Sequence, residues 1–370
     1  MKKILFMIPT LAHGGAEKVL VNLVNNMDKS EYDITVQTLF NVGVNIQFLS
    51  KDIHYKYCMK KQFVGNSQIL KLFSPEFLFK HFVKEKYDII VSYLEGPTAR
   101  IVSGCNDKDT KLVSWIHIEQ HTPDVLAYSF KSFKEAKKCY NKFDNTVCVS
   151  EYVKEDFKRI LDFKEPIEVL YNTNETDEIL KLSNENIDDD LFSKDEINIC
   201  VVGKINKYKG CDRICRIQKQ LKKSGFNTHI YFLGIGPEEN FVKDFAKEND
   251  LENSITLLGY QTNPYKYIKK SDLFICASLA EGFSTAATEA LILGTPVVTV
   301  EVSGMKEMLG DNNEYGIVTE NDENALYDGI KKILTENGLL EHYAKQAKIR
   351  GERFSTKKTV KAVEDMLESI

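Results

Sequence analysis

The chain has 370 residues, 43% hydrophobic and 28% charged, which fits two globular domains of similar size and no fibrous or disordered class. A net charge of −5 excludes a chain built to coat a polyanion, so nucleic acid is not an expected partner. Eight cysteines without a Cys-x-x-Cys pair or metal-like spacing point to a reducing, cytoplasmic setting and no structural zinc.

The start, Met1-Lys-Lys-Ile-Leu-Phe-Met-Ile-Pro9, has an apolar run too short for a signal peptide and reads as a first strand over Lys3–Ile8. Gly14-Gly15-Ala-Glu17-Lys18 then opens a helix carrying Val19, Leu20, Leu23 and Val24; two glycines let a ligand approach backbone at a positive helix end. Further strands are expected at Ile34–Leu39, Ile89–Ser92, Leu112–Ile116, Thr146–Val149 and Glu168–Tyr171, with helices between them. His117 closes the strand Leu112–Ile116, followed by Glu119 and His121, which show no metal spacing in sequence. Ser150 and Glu151 follow the next strand, and Asn172 the one after; as side chains these are also ordinary helix and turn caps. Two segments are lysine-rich. Lys56–Lys86 holds seven lysines against two acidic residues, with Phe63, Phe73, Phe77, Phe79 and Phe82, and Lys131–Lys142 holds five lysines against one Glu. Both suit an anionic membrane surface or, equally, solvated helix faces. No stretch has the apolar length needed to span a bilayer.

The segment 172–196 turns polar and acidic and reads as a linker over 176–196. A second strand–helix alternation starts at Ile197–Gly203 and continues with strands at Thr228–Leu233, Ile255–Leu258, Leu273–Cys276, Val297–Val300 and Tyr315–Val318. Gly203-Lys204-Ile-Asn-Lys207-Tyr-Lys209-Gly210 follows its first strand, so lysines project at the carboxyl edge of a sheet. Gly234-Ile-Gly236-Pro237 lacks the third glycine of a dinucleotide fingerprint. After Leu273–Cys276, Glu281-Gly282 breaks the run, Ser284 or Thr285 caps a helix rich in helix formers, and Gly294-Thr-Pro296 ends it. A helix N-terminus therefore stands at the sheet edge, with Glu281 at its mouth and Glu289 about two turns along. That arrangement suits a phosphate at the helix tip and sugar hydroxyls on carboxylates.

The segment Ser278–Val298 resembles the Glu-x₇-Glu motif of retaining glycosyltransferases of family 4, including Gly-Phe-Ser after the first Glu and the Gly-Thr-Pro-Val-Val exit. The resemblance implies an α/β chain of the GT-B fold, with two Rossmann-like domains facing each other across a cleft. It implies an acceptor-binding domain over 1–175, a nucleotide-sugar domain over 197–350, and a C-terminal helix in 351–370 that returns to the first domain. Glu281 then stands at the donor sugar and Glu289 at the ribose. Gly203, Gly234, Gly282, Phe283, Ser284 and Thr285 line the donor site.

Gly203-Lys204 to Lys209-Gly210 is similar to the family's Gly-Arg-Leu-x₃-Lys-Gly, with Lys204 in place of an Arg, which keeps the charge but loses the bidentate fork. The Gly14-Gly15-Ala-Glu17-Lys18 loop resembles Gly-Gly-Ala-Glu-Arg, flanking the donor phosphates and the acceptor, and His117 resembles the His near the donor sugar. Lys18, Ser150, Glu151 and Asn172 match further positions at the cleft. The implied activity is metal-independent transfer of a sugar, with retention, from a nucleotide diphosphate sugar, UDP-linked, to a glycan or lipid-linked glycan. Glu281, His117, Lys204 and Lys209 carry the chemistry, in a cytoplasmic protein peripheral on the inner face of the membrane. A nucleotide-sugar epimerase and a non-catalytic nucleotide-sugar-binding partner are the rival readings.

Overall fold

The computed structural model describes all residues except 13, 63–64, 163–165 and 188–190, and the side chains of 66 and 67. His13, Phe63 and the aspartates at 188–190 therefore lie outside the described residues. The chain divides into two compact units, Met1–Asn174 with Thr356–Ile370, and Glu175–Ser355.

The first unit is built on a parallel seven-stranded sheet ordered β3-β2-β1-β4-β5-β6-β7. The strands are β1 Lys2–Ile8, β2 Tyr32–Phe40, β3 His54–Met59, β4 Ile89–Ser92, β5 Lys111–Ile116, β6 Asn145–Cys148 and β7 Ile167–Val169. Its helices are α1 Gly15–Asn26, α2 Asn66–Leu72, α3 Pro75–Phe82, α4 Pro97–Val102, α5 Pro123–Leu126, α6 Phe133–Tyr140 and α7 Glu151–Leu161. Ile4 to Ile8 and Ile89 to Val91 are buried because a parallel sheet is covered on both faces, hence their unbroken apolar runs. Strand order reverses between β1 and β4, so the loops that follow these strands part and leave a crevice at their carboxyl ends. The edge strand β3, which pairs with β2, has no counterpart among the expected strands. His54-Tyr-Lys-Tyr-Cys-Met59 is half-exposed throughout and shows no apolar alternation.

The second unit holds a parallel six-stranded sheet ordered β10-β9-β8-β11-β12-β13. It begins with helix α8, Thr176–Leu182, followed by strands β8 Ile197–Val202, β9 Thr228–Leu233, β10 Ile255–Gly259, β11 Leu273–Cys276, β12 Val297–Val300 and β13 Ile317–Thr319. Between and after them run α9 Cys211–Lys223, α10 Glu239–Glu248, α11 Tyr265–Lys270, α12 Thr285–Leu293, α13 Met305–Leu309, α14 Glu323–Thr335 and α15 Leu339–Gly351. Helix α12 is apolar on every side because it packs against α8, α11, α15 and the strands β11 and β12. The order again reverses, between β8 and β11.

Two boundaries differ from expectation. The stretch 176–196 is not a plain linker. Its first residues form α8, whose Ile179 is buried with Tyr265 and Ile292, an apolar foothold that the acidic composition around it conceals. Residues 351–355 stay with the second unit, because Phe354 is buried there against the Phe283 ring and the Arg350 guanidinium. The last helix, α16 Thr356–Ser369, packs on α1 in the first unit. Glu364 accepts from the Asp28 N–H at 2.8 Å and the Leu367 carbonyl from Lys2 Nζ at 3.1 Å.

Candidate active site

In the second unit, the loops after β8 and β11 flank the point where strand order reverses. The first loop tightens into a single 3₁₀ turn over Lys207–Lys209, where the Asn206 side chain accepts from the Lys209 N–H at 3.0 Å. Gly210 follows in the left-handed region at φ 68°, and a Cβ there would lie 2.2 Å from the Ala277 carbonyl oxygen. Only glycine lets this loop close onto the end of β11. The approach places Lys209 Nζ 2.5 Å from Glu281 Oε1, and Ser278 Oγ donates to the same oxygen at 2.7 Å. No described residue donates to Oε2 of Glu281. Gly234, at φ 150°, brings the end of β9 against the Gly203 carbonyl, which a side chain would strike at 1.9 Å.

Helix α12 begins beside this ion pair. Ser284 caps it by accepting from the Ala287 N–H, while the N–H groups of Thr285 and Ala286 make no hydrogen bond among the described residues. A cation, a carboxylate with an open oxygen and two free helix-tip N–H groups thus meet at one sheet edge, the combination that an anion bearing hydroxyls requires. The side chain of Phe283 is buried against Phe354, so its ring is packed in the core of the second unit. Glu289 sits deeper in α12, 4% exposed, with the Tyr265 hydroxyl 3.5 Å from its Oε1. The structure therefore gathers Gly203, Lys209, Gly210, Glu281 and Ser284 closely. Lys204 is exposed and enters no ion pair among the described residues.

In the first unit, Gly14 and Gly15 open α1 at the carboxyl end of β1. The Glu17 carboxyl folds back against Gly14, and burial raises its pKa. His117 ends β5, 7% exposed, and its backbone N–H donates to Glu95 Oε2 at 3.0 Å. Burial drives the imidazole down to about 3 and lifts the Glu95 carboxyl up to about 7. Ser150 caps α7, accepting from the Val153 N–H at 3.2 Å, and Glu151 pairs with Lys154 at 2.9 Å. Both caps have structural work of their own, and Asn172 is buried.

One cluster has metal-ligand types, Glu119, His121 and Asp156, with ligand atoms within 4.8 Å of one another. Burial pushes the Asp156 carboxyl up, but the N–H groups of His121 and Gln120 and the Arg159 guanidinium outweigh it and hold its pKa below the ordinary value. Arg159 already supplies the positive charge that a metal would bring.

The lysine-rich segments converge. Arg100 of α4, 1% exposed, is bonded twice to Glu135 of α6 and donates to the carbonyls of Leu70 and Phe73, tying α2 to α6. Lys71 lies over the Tyr128 ring at 5.5 Å. Leu72 is 76% exposed and Phe77 52%, so an apolar face lies among the lysines. Lys56, Lys86 and Lys142 are neutralised by Glu85, by Asp107 and Asp109, and by Glu76.

Two family models divide the chain between them. The one described as Glycosyltransferase Family 4 matches residues 13–178, and the one described as Glycosyl transferases group 1 matches residues 183–350. The chain belongs to the group 1 and family 4 glycosyltransferases. This glycosyltransferase is 28% identical over 369 residues, covering 96% of both chains, to the Campylobacter jejuni enzyme named N-acetylgalactosamine-N,N'-diacetylbacillosaminyl-diphospho-undecaprenol 4-alpha-N-acetylgalactosaminyltransferase. It is 23% identical to an uncharacterized glycosyltransferase of Haemophilus influenzae, covering 97% of this chain and 98% of that one. Among solved structures, Anabaena HepE in complex with UDP matches over 100% of both chains with a TM-score of 0.78 and 17% identity. A glycosyltransferase from Rickettsia africae has the same score and identity over 100% of this chain and 98% of that one. The fold is GT-B, with two Rossmann-like parallel sheets, as the resemblance implied. Sequence reasoning passed over Ser278 and Glu95 of this glycosyltransferase. Each is a polar residue just past the end of a buried strand, which is the signal that marks them.

Proposed function

We propose that this glycosyltransferase moves a sugar from a UDP-sugar to a hydroxyl of a lipid-linked or surface-polysaccharide precursor, with retention of configuration and without a metal ion. The observation that carries the reading is the Lys209–Glu281 pair at the reversal of strand order beside the free tip of α12. Lys209 and the N–H groups of Thr285 and Ala286 neutralise the departing diphosphate, the task a divalent cation performs elsewhere. Glu281 orients the donor sugar through its open oxygen, and Glu289 takes ribose hydroxyls. Breaking the sugar–phosphate bond gives UDP. The acceptor hydroxyl attacks from the same face, and its proton passes to the leaving phosphate oxygen. Anabaena HepE was solved with UDP and with UDP-glucose, and the name of the Campylobacter relative specifies a diphospho-undecaprenol-linked substrate.

The apolar, lysine-edged face of α2, α3 and α6 supports an acceptor held in an anionic membrane and an enzyme peripheral on its inner, cytoplasmic side. No helix among the described residues is long and apolar enough to cross a membrane. The deciding experiment offers labelled UDP-sugars with a diphospho-undecaprenol-linked sugar, in EDTA and in Mg²⁺. Transfer in EDTA, with the anomeric configuration kept, supports the reading. Epimerised donor without transfer, or strict dependence on Mg²⁺ or Mn²⁺, overturns it.

A further inference from the structure

In the first sheet the order of strands reverses between β1 and β4, and β4 is followed by Tyr93-Leu-Glu95-Gly96. Glu95 is half-buried, and its Oε2 is fixed by the His117 N–H of the neighbouring strand β5. The His117 ring lies 4.9 Å from the Tyr93 ring and 6.4 Å from that of Trp115. The His117 ring lies beside the Tyr93 backbone, and its Nε2 is buried with no partner among the described residues. The neutral ring that burial imposes has one donor and one acceptor nitrogen, so Nε2 can meet a hydroxyl in either role. Trp115 Nε1 is likewise buried without a partner among the described residues. Leaving two buried polar atoms unpaired costs stability unless a ligand completes them.

The titratable groups facing Glu95 are His117 from β5, Tyr140 from α6 and Cys148 at the end of β6. Beyond Cys148, Lys154 and Glu151 of α7 pair with each other. No Lys or Arg forms an ion pair with Glu95 among the described residues.

We propose that Glu95 is a sugar-recognition residue, hydrogen-bonding one hydroxyl of a vicinal pair while the other bonds to His117 Nε2. This rests on the sugar-transfer reading. Glu95 and His117 follow the paired strands β4 and β5, and Glu95 Oε2 lies 3.0 Å from the His117 nitrogen of the main chain, so the two residues stand together at one sheet edge. Burial lifts the Glu95 carboxyl to about 7, so near neutrality it exchanges between a form that donates and accepts and one that only accepts. The hydroxyls belong either to the donor sugar or to the acceptor glycan.

The test compares wild type, Glu95→Gln and Glu95→Ala. Calorimetry measures binding of UDP and of UDP-glucose, UDP-galactose and their N-acetylated forms on both sides of neutrality. Steady-state kinetics uses a diphospho-undecaprenol-linked sugar as acceptor. Gln keeps an oxygen for the His117 N–H but cannot titrate. If the hydroxyls are the donor's, Glu95→Gln weakens the UDP-sugar about tenfold, leaves UDP alone unchanged and flattens the pH dependence of sugar binding. If they are the acceptor's, UDP-sugar binding holds, while the acceptor KM rises about tenfold at steady kcat and loses its pH dependence. A folded Glu95→Gln, judged by its thermal transition, with affinities, acceptor KM and pH profiles all unchanged overturns the assignment. If Glu95→Gln does not fold, Glu95→Asp is read by the same measurements. Wild-type protein that binds neither UDP nor any UDP-sugar strikes the sugar-transfer reading itself, and the role of Glu95 falls with it.

Discussion

Lys209 and Glu281, 72 residues apart in sequence, meet with Nζ 2.5 Å from Oε1 where two loops of one sheet converge. Each is only partly exposed, 34% for the lysine side chain and 12% for the carboxylate. A cation already held by a carboxylate does not collapse onto the first anion it meets. In the proposed reaction a diphosphate draws Lys209 away, and the Ser278 hydrogen bond to Glu281 is there to hold the carboxylate in place.

Replacing Lys209 by Ala is expected to lower kcat by about a hundredfold, the scale for losing one preorganised donor to a developing charge. Glu281→Gln is expected to lower it as well, and the double variant to lose less than the product of the two. Turnover of the four proteins forms the cycle. Additive losses would show that the pair does not act as a unit.

Glu289→Ala is expected to weaken UDP binding by about 1–3 kcal/mol, as for loss of a charged hydrogen-bond partner. Tyr265→Phe, which removes the hydroxyl beside Glu289 Oε1, should weaken it less. Calorimetry with UDP reads both, and unchanged affinity in Glu289→Ala removes the ribose role.

His117 and Glu95 pull stability in opposite directions with pH. Burial holds the imidazole at about 3 against an ordinary 6.5, so the unfolded chain takes up the proton first. That contribution is present above 6.5 and is lost as pH falls towards 3. Glu95, raised to about 7 from 4.5, holds its proton longer in the folded state. Its contribution is complete below 4.5 and is lost as pH rises to about 7. Urea unfolding across this range should show His117→Gln resisting acid by on the order of 1–2 kcal/mol relative to wild type, and Glu95→Gln without the loss towards neutrality.

Inside the first unit, Arg100→Met leaves the carbonyls of Leu70 and Phe73 without this donor and Glu135 without its ion-pair partner, with the Lys131 N–H still donating to its carboxylate. The expected cost is about 3–5 kcal/mol, and Arg100→Met with Glu135→Met should recover part of it. Thermal unfolding measures both.

Binding to phosphatidylglycerol vesicles is expected at low salt, and loss of it in high salt or on phosphatidylcholine, because surface charge attraction fades within a Debye length. Lys71, Lys131 and Lys134 changed to Glu should release the protein, as should Leu72→Ser with Phe77→Ser, with UDP affinity retained. Co-sedimentation reads all of these. Equal binding by the charge-reversed protein would rule out the lysine face.

The strands β4, β9, β11 and β12 were legible to the residue, because each is a short branched run ended by polar, Gly or Pro residues. The edge strand β3 was not, since half-exposed Tyr, Lys and His carry no period. The foothold of α8 was hidden because Ile179 and Leu182 sit in an acidic stretch whose average reads as solvated. Glu281, Lys209 and His117 stood out by position at strand ends. The partner of each side chain did not, because Ser278, Asn206 and Glu95 reach them through loop closure and strand register. Counting lysines overstated the basic face, since Lys56, Lys86 and Lys142 are cancelled by carboxylates of other elements or other turns.

The placement of α16 on α1 has a consequence for biosynthesis. Thr356–Ser369 leaves the ribosome only after every residue of the second unit has been made. Until then, the surface on which α16 buries Val360, Val363 and Leu367 stays bare, and Asp28 and Lys2 lack their partners. The domain translated first is therefore the one completed last. Its intermediate exposes apolar surface for the whole time that Glu175–Ser355 is being synthesised, which makes nascent-chain protection a requirement of this connectivity.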